Sequence, residues 1–162
     1  MSETFSAGVL LYRGSNPVVE VLLGHMGGPF WAKKDAGAWT LPKGEYDPDG
    51  EDAKGAAARE FAEELGLPVP AGEWAALGAV RYRSGRNHKN LAAWAVRGEL
   101  DPAAIVPGTF DLEWPPRSGK ITAFPELDRV EWFDLATARE KLGSGPRPFL
   151  DRLARHLGGE PS

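Results

Sequence analysis

The chain contains no cysteine, only two methionines and only three histidines in 162 residues. Disulfides and a thiol nucleophile are therefore excluded, and soft thiolate metal sites with them. His25, His88 and His156 lack the spacing of a ligand set and read as surface histidines. No apolar run approaches the ~20 residues of a membrane-spanning helix, and no basic segment leads into an apolar core at the N-terminus. The expectation is a soluble, cytoplasmic protein with no membrane contact. Positive charge is not in surplus either: the formal net charge is −4, which argues against broad electrostatic adhesion to nucleic acid or anionic lipid. Repeats and low-complexity tracts are absent.

What is present is an ordinary globular composition, 42% hydrophobic and 26% charged, enough for one domain over residues 1–162. Acidic residues are concentrated in GEYDPDGEDAKGAAAREFAEELGL, residues 44–67. On a helix over 53–65, Glu60, Glu63 and Glu64 sit at i, i+3 and i+4 and share one face. Ala58, Phe61, Ala62 and Leu65 are expected to form the opposite, sheet-facing stripe, with Ala56 and Ala57 flanking the acidic side. Asp52 reads as the N-cap, Gly66 as the left-handed terminator and Pro68 as a stop. Two carboxylates ~5.5 Å apart repel by roughly 3 kcal/mol at an effective dielectric of about 20. A positive partner is therefore expected among them. Oxygen-only, highly charged ligands suit Mg2+ or Mn2+, and Arg59, at i, i+4 from Glu63, is placed to brace a carboxylate with a forked ion pair.

Outside this stretch, residues 5–13 and 18–23 read as a hairpin, and the Gly-rich 25–38 as a loop whose Trp31, Lys33 and Lys34 are candidates for base and phosphate contact. Residues 39–43 run toward the acidic helix. Residues 74–82 and 90–100 form a second strand pair around a basic turn, 83–89, that offers a phosphate clamp or a plain exposed tip. Residues 101–125, with five prolines, read as a long irregular functional loop. In it Trp114, Arg117 and Lys120 suit base stacking and phosphate contact, and Glu113 is, like Glu126 just beyond, a candidate ligand or base. A short strand at 130–133, a helix capped by Asp134 and a last helix over 148–157 complete the chain.

The acidic stretch resembles the Nudix box, G-x5-E-x7-R-E-U-x-E-E-x-G-U with U aliphatic or aromatic. The matching residues are Gly44, Glu51, Arg59, Glu60, Phe61, Glu63, Glu64, Gly66 and Leu67, with six residues rather than five between Gly44 and Glu51. The extra residue falls in the turn-rich YDPDG, where an insertion costs little. The resemblance implies an α/β fold, the Nudix α/β/α sandwich with a mixed β-sheet, and hydrolysis of a diphosphate linked to another moiety. It further implies Mg2+ or Mn2+ held by Glu60, Glu64, and Glu63 or the Gly44 carbonyl. Glu63 is the implied base or water-orienting residue, and Glu51 a support for the metal shell or for Arg59. In the approach WTLPKG, Trp39 and Lys43 are expected at the substrate, with Lys43 on phosphate, and Arg117 joins them from the long loop. Tyr82, sixteen residues past Gly66, lies near the place where dinucleoside-polyphosphate members carry a tyrosine. ADP-ribose members tend to carry a proline there, and none occurs between Pro70 and Pro102.

The implied partner is a small nucleotide, (d)NTP or dinucleoside polyphosphate, with nucleic acid expected only as a 5′ end. The alternatives are hydrolysis of ADP-ribose or another nucleoside diphosphate derivative, and a non-catalytic nucleotide sensor. A sensor is expected to lose one of the three glutamates, and all are present. An isopentenyl-diphosphate isomerase relative is disfavoured by the missing cysteine. The oligomeric state is left open, a homodimer being one option.

Overall fold

The computed structural model describes residues 3–158. Its longest apolar alternations lie at the start. In β1 (Glu3–Ser15) the side chains of Ala7, Val9 and Leu11 enter one core and those of Leu10 and Tyr12 the other. β2 (Val18–Met26) divides likewise, with Leu22 on the first side and Val19, Val21 and Leu23 on the second. A strand buried on both faces needs a cover on each. The covers are α1 (Ala53–Leu65) on the first face and α2 (Leu135–Lys141) with α3 (Pro148–His156) on the second. The architecture is the expected α/β/α sandwich.

The sheet between them is mixed. β6 (Asn87–Arg97) runs parallel to β1 and carries β5 (Trp74–Ser84) antiparallel on its outer edge. β9 (Leu127–Asp134) is antiparallel to β2 on the far side. β1 and β2 pair only near their shared turn, at Tyr12–Ser15 against Val18–Val21. Where they part, two short strands are wedged between them: β3 (Trp39–Thr40) on β2 and β4 (Lys43–Glu45) on β1. The gap between diverging strands is thus where Lys43 and Gly44 face α1.

α1 is capped as its sequence suggests. Asp52 accepts the Gly55 N–H at 3.0 Å, and Gly66 takes the left-handed conformation at φ 70°. Gly55 has a steric reason: a Cβ there would stand 2.9 Å from the Asp52 carboxylate oxygen. The helix is rotated relative to the sequence expectation. Ala56, Ala57, Phe61, Glu64 and Leu65 are its buried residues, whereas Ala58 and Ala62 are only half-buried. The two small alanines bring the backbone close to the sheet, so the acidic face turns toward β4 rather than away from it.

Two segments are more regular than their composition suggests. β5 and β6 extend to Ser84 and Asn87, leaving a two-residue tip, so Arg83, His88 and Lys89 of the expected turn are strand residues. Residues 101–125 contain a 3-10 turn (Pro102–Ala104) and a separate hairpin of β7 (Thr109–Glu113) and β8 (Ile121–Pro125). Strand pairing satisfies backbone groups there, and the prolines fall outside the pairing or at its end. Among the described residues no helix is long and apolar enough to cross a membrane.

Phe61 fills the interface between α1 and the sheet, fully buried. Phe61→Ala should lower unfolding free energy by ~3–5 kcal/mol, measured by urea denaturation. A loss below 1 kcal/mol would contradict this packing.

Candidate active site

The cleft at the α1–β4 junction measures about 450 Å3 and is lined by Lys43, Gly44, Glu60, Glu63, Glu64, Lys89, Thr109 and Glu126, among others. The glutamates on α1 arrive there because the helix is pinned by its alanines, Phe61 and Leu65. Glu60 lies flat against Gly44: a Cβ on Gly44 would stand 1.9 Å from the Glu60 carboxylate oxygen. Only glycine admits that approach. Gly44 itself is held in register opposite Ala7 of β1.

Arg59 organises three of the carboxylates. Its Nε and Nη2 donate to the two Glu51 oxygens at 2.8 Å, a bidentate pair. Its Nη1 donates to Glu60 at 2.8 Å and to Glu63 at 3.2 Å. The guanidinium is thereby held well above its ordinary pKa, and its hydrogen bonds hold Glu51 below the usual carboxylate range. The one-residue insertion before Glu51 leaves this bridge intact.

Glu64 receives no such help. It is buried, and burial first, then the neighbouring Glu126 and Glu60, pushes its carboxyl up to about 8. Burial also raises Glu60, opposed by its Arg59 hydrogen bond. Glu63 is different, with 58% of its side chain exposed against 12% for Glu60. It guards the rim.

Lys43 and Lys89 supply positive charge on the facing side. Lys43 is held below its ordinary value by burial and by Lys89. Lys89 belongs to the basic segment noted in the sequence, but it reaches the cleft only because it lies inside β6, level with Thr4 of β1. Its cross-strand partner is Tyr82, a half-buried ring whose hydroxyl is raised by burial. Tyr82 lines a second cavity of about 280 Å3 that shares Lys43 and Lys89 with the first. Glu126 stands at the β8–β9 junction, and its carboxylate makes no hydrogen bond or ion pair among the described residues.

Other sequence candidates are packed into the walls of these cavities or lie away from them. Trp39, expected at the substrate, is a core side chain only 1% exposed: its indole N–H donates to Asp35 and its ring packs edge-on against His25 and Phe133. It nevertheless lines the Tyr82 cavity, as part of that cavity's packed wall. His25 is likewise no surface residue but fully buried, with Nδ1 2.9 Å from Asp128 and Nε2 2.7 Å from the Lys34 carbonyl. Arg117 lies in the turn joining β7 and β8, at φ 62°, beyond four residue rises, or ~13 Å, from Thr109 at the cleft. Trp114 packs against Phe30 rather than the cleft, and Glu113 accepts the Arg117 N–H within the turn. Lys34 stacks over Trp31, and Lys33 is exposed.

The donor chemistry suits a hard divalent cation: carboxylates and a backbone carbonyl, with one carboxyl destabilised by like charge. The geometry is not preformed. Among the described residues no group of three acidic or histidine side chains is already gathered to hold an ion, since Arg59 occupies Glu60 and Glu63.

The model of the NUDIX domain matches residues 3–153. No curated protein matches by sequence. Among solved structures, a Caenorhabditis elegans Ap4A hydrolase in a binary complex is similar with a TM-score of 0.67 at 22% identity, over 97% of this chain and 99% of that one. A MutT protein from Methanosarcina mazei Go1 gives 0.62 at 22%, over 96% and 95%. The NUDIX domain of Shewanella oneidensis NrtR, complexed with ADP ribose, gives 0.63 at 16%, over 97% and 90%. At these identities the likeness is one of fold.

The raised Glu64 has a consequence for stability. The folded protein keeps this proton up to about 8, whereas the unfolded chain releases it near 4.5. Between those values the folded state binds more protons, so stability falls as pH rises, by on the order of a few kcal/mol without divalent cations. Thermal unfolding from pH 4.5 to 8.5 should show the decline. Glu64→Gln should flatten it, and an unchanged slope in the variant would assign it to another group.

Proposed function

The chain belongs to the Nudix family, and from that premise we propose that this pyrophosphohydrolase cleaves the diphosphate linkage of a nucleoside polyphosphate. One observation carries the reading: Glu60 and Glu64 are held on a buried wall by α1 while Lys43 and Lys89 line the same cleft. A polyphosphate is the small anion that fits between two ammonium groups and a carboxylate wall able to take up a cation.

A divalent cation, Mg2+ or Mn2+, held by Glu60, Glu64 and the Gly44 carbonyl with Glu63 joining from the rim, would neutralise diphosphate oxygens and acidify the attacking water. The chain's own groups do the rest. Lys43 and Lys89 bind non-bridging phosphate oxygens and hold the chain of phosphates along the cleft. Arg59 keeps Glu60 oriented and ties the helix to Glu51. Water attacks phosphorus, the bridging P–O bond breaks, and the departing phosphate takes the bond electrons. The water proton passes to a carboxylate, either Glu63 at the rim or Glu126, whose carboxylate makes no hydrogen bond or ion pair among the described residues. The half-buried Tyr82, beside Lys89, receives a nucleobase in the second cavity.

An alternative, a nucleotide sensor without turnover, has no support in a lost acidic residue, because Glu60, Glu63 and Glu64 all line the cleft. ADP-ribose hydrolysis is less favoured by the Tyr82 position.

Glu64→Gln should reduce turnover about a thousandfold or more with little change in far-UV circular dichroism; a variant retaining a tenth of wild-type activity would remove Glu64 from the chemistry. Phosphate release from a panel of nucleoside triphosphates, dinucleoside polyphosphates and ADP-ribose should cease in chelator and return with Mg2+ or Mn2+. Turnover that persists in chelator would overturn the metal-assisted reading.

A further inference from the structure

Trp31 is a wall common to two cavities. It lines the Tyr82 cavity and also a third, of about 230 Å3, that includes Phe110, Glu64 and Glu126; both contain Lys43. Residues 27–38, to which Trp31 belongs, form neither strand nor helix, so the position of its ring depends on what holds this loop. The base is tied by the Met26 N–H, which donates to the Ala38 carbonyl at 3.0 Å. A second tie lies inside the loop. The Lys34 N–H donates to the Trp31 carbonyl at 3.0 Å, and the Lys34 carbonyl stands 2.7 Å from Nε2 of His25 on β2. His25 is thus two hydrogen bonds away from Trp31.

The partners of the His25 ring fix its charge. Nδ1 lies 2.9 and 3.1 Å from the two Asp128 oxygens, and Nε2 faces a backbone carbonyl. A carboxylate and a carbonyl only accept, whereas a neutral imidazole has one N–H and one lone pair. In either neutral form one ring lone pair would face an oxygen lone pair at hydrogen-bond distance, in a side chain just 1% exposed. With both nitrogens protonated, both contacts become hydrogen bonds. The surroundings suit a cation. Arg129 divides between Asp128 and Glu131, and Lys141 is committed to Asp35, so Asp128 lacks a full counter-charge unless His25 supplies one. The Trp39 ring lies 5.1 Å from the imidazole, a favourable neighbour for a delocalised cation, and the Lys34 ammonium lies over Trp31.

We propose that His25 is held as an imidazolium and is a positioning residue: its two ring protons fasten the Trp31 loop to β9 and so set the wall of the nucleotide groove. The charge assignment stands apart from the hydrolase reading, while the effect on substrate rests on that reading. His25 lines none of the three cavities, so its loss acts on nucleotide binding and not on the bond-breaking step. Asp128→Asn separates charge from tether. The amide it introduces can offer an N–H to Nδ1, which lets a neutral ring accept there and still donate from Nε2 to the Lys34 carbonyl.

Nitrogen-15 NMR of the full chain at neutral pH should show a proton on both His25 ring nitrogens in wild type and on Nε2 alone in Asp128→Asn. Amide hydrogen exchange reads the tether: His25→Phe, which keeps a ring but removes both donors, should speed exchange at Lys34 about tenfold or more, and Asp128→Asn should leave it within about twofold. With a nucleoside triphosphate and Mg2+, His25→Phe should raise KM about tenfold while kcat stays within about twofold. Thermal unfolding reports whether His25→Phe is folded; if it is not, the wild-type and Asp128→Asn spectra decide. A bare ring nitrogen in wild type, or two ring protons in Asp128→Asn, overturns the charge assignment. Unchanged Lys34 exchange in folded His25→Phe, or a loss confined to kcat, overturns the tether. Absence of hydrolysis in wild type refutes the hydrolase reading instead, and the ring protons and Lys34 exchange still decide the role of His25.

Discussion

Two carboxylates held against a sheet by the helix that bears them constrain everything near the cleft. Glu60 and Glu64 cannot swing freely into water, because Ala56, Ala57, Phe61 and Leu65 of the same helix are fully buried. Arg59 compensates Glu60 and the exposed Glu63, and is itself committed to Glu51 by two bonds. Glu64 is left facing Glu126, with the half-buried Lys43 as its nearest relief. A wall so arranged favours either a proton or a cation. That preference links the fold to hydrolytic chemistry more directly than any cavity shape does.

The rigid and variable parts of the groove have separate origins. The carboxylate wall and Lys43 sit on α1 and on the short strands wedged between β1 and β2, where register with Ala7 and Gly8 leaves little freedom. The aromatic walls come from residues 27–38, from the β7–β8 arm and from the β5–β6 hairpin. Chemistry placed on packed elements and recognition placed on loops and arms is the usual division of labour. Here His25 serves the second part without touching the first: its two ring nitrogens join the Trp31 loop to β9, a structural task invisible in a lone histidine.

The acidic helix, its caps and the three-glutamate spacing were legible in the sequence because they are local: i, i+3, i+4 geometry follows from the helix alone. The α/β/α architecture was legible through the resemblance of the acidic stretch to the Nudix box, which implies that sandwich. Errors arose where long-range pairing decided the outcome. Residues 101–125 looked irregular by proline count, yet 109–113 and 121–125 pair; the basic segment 83–89 looked like a turn, yet Lys89 is carried into the cleft by β6. His25 read as a surface residue, and the deep burial of Trp39 went unseen, because exposure is not encoded in residue type.

The sequence by itself determined the helix, the alternation of β1 and β2, the absence of thiol chemistry and the supply of hard oxygen donors, all consequences of residue type and short spacing. Tertiary structure decided which face of α1 met the sheet, that Glu64 rather than Glu63 was buried, and that Lys43, Lys89, Tyr82, Phe110 and Trp31 met around one groove. Those outcomes depend on packing between segments tens of residues apart, where small side chains permit close approach and strand register sets which residues come level. Local periodicity carries no information about either.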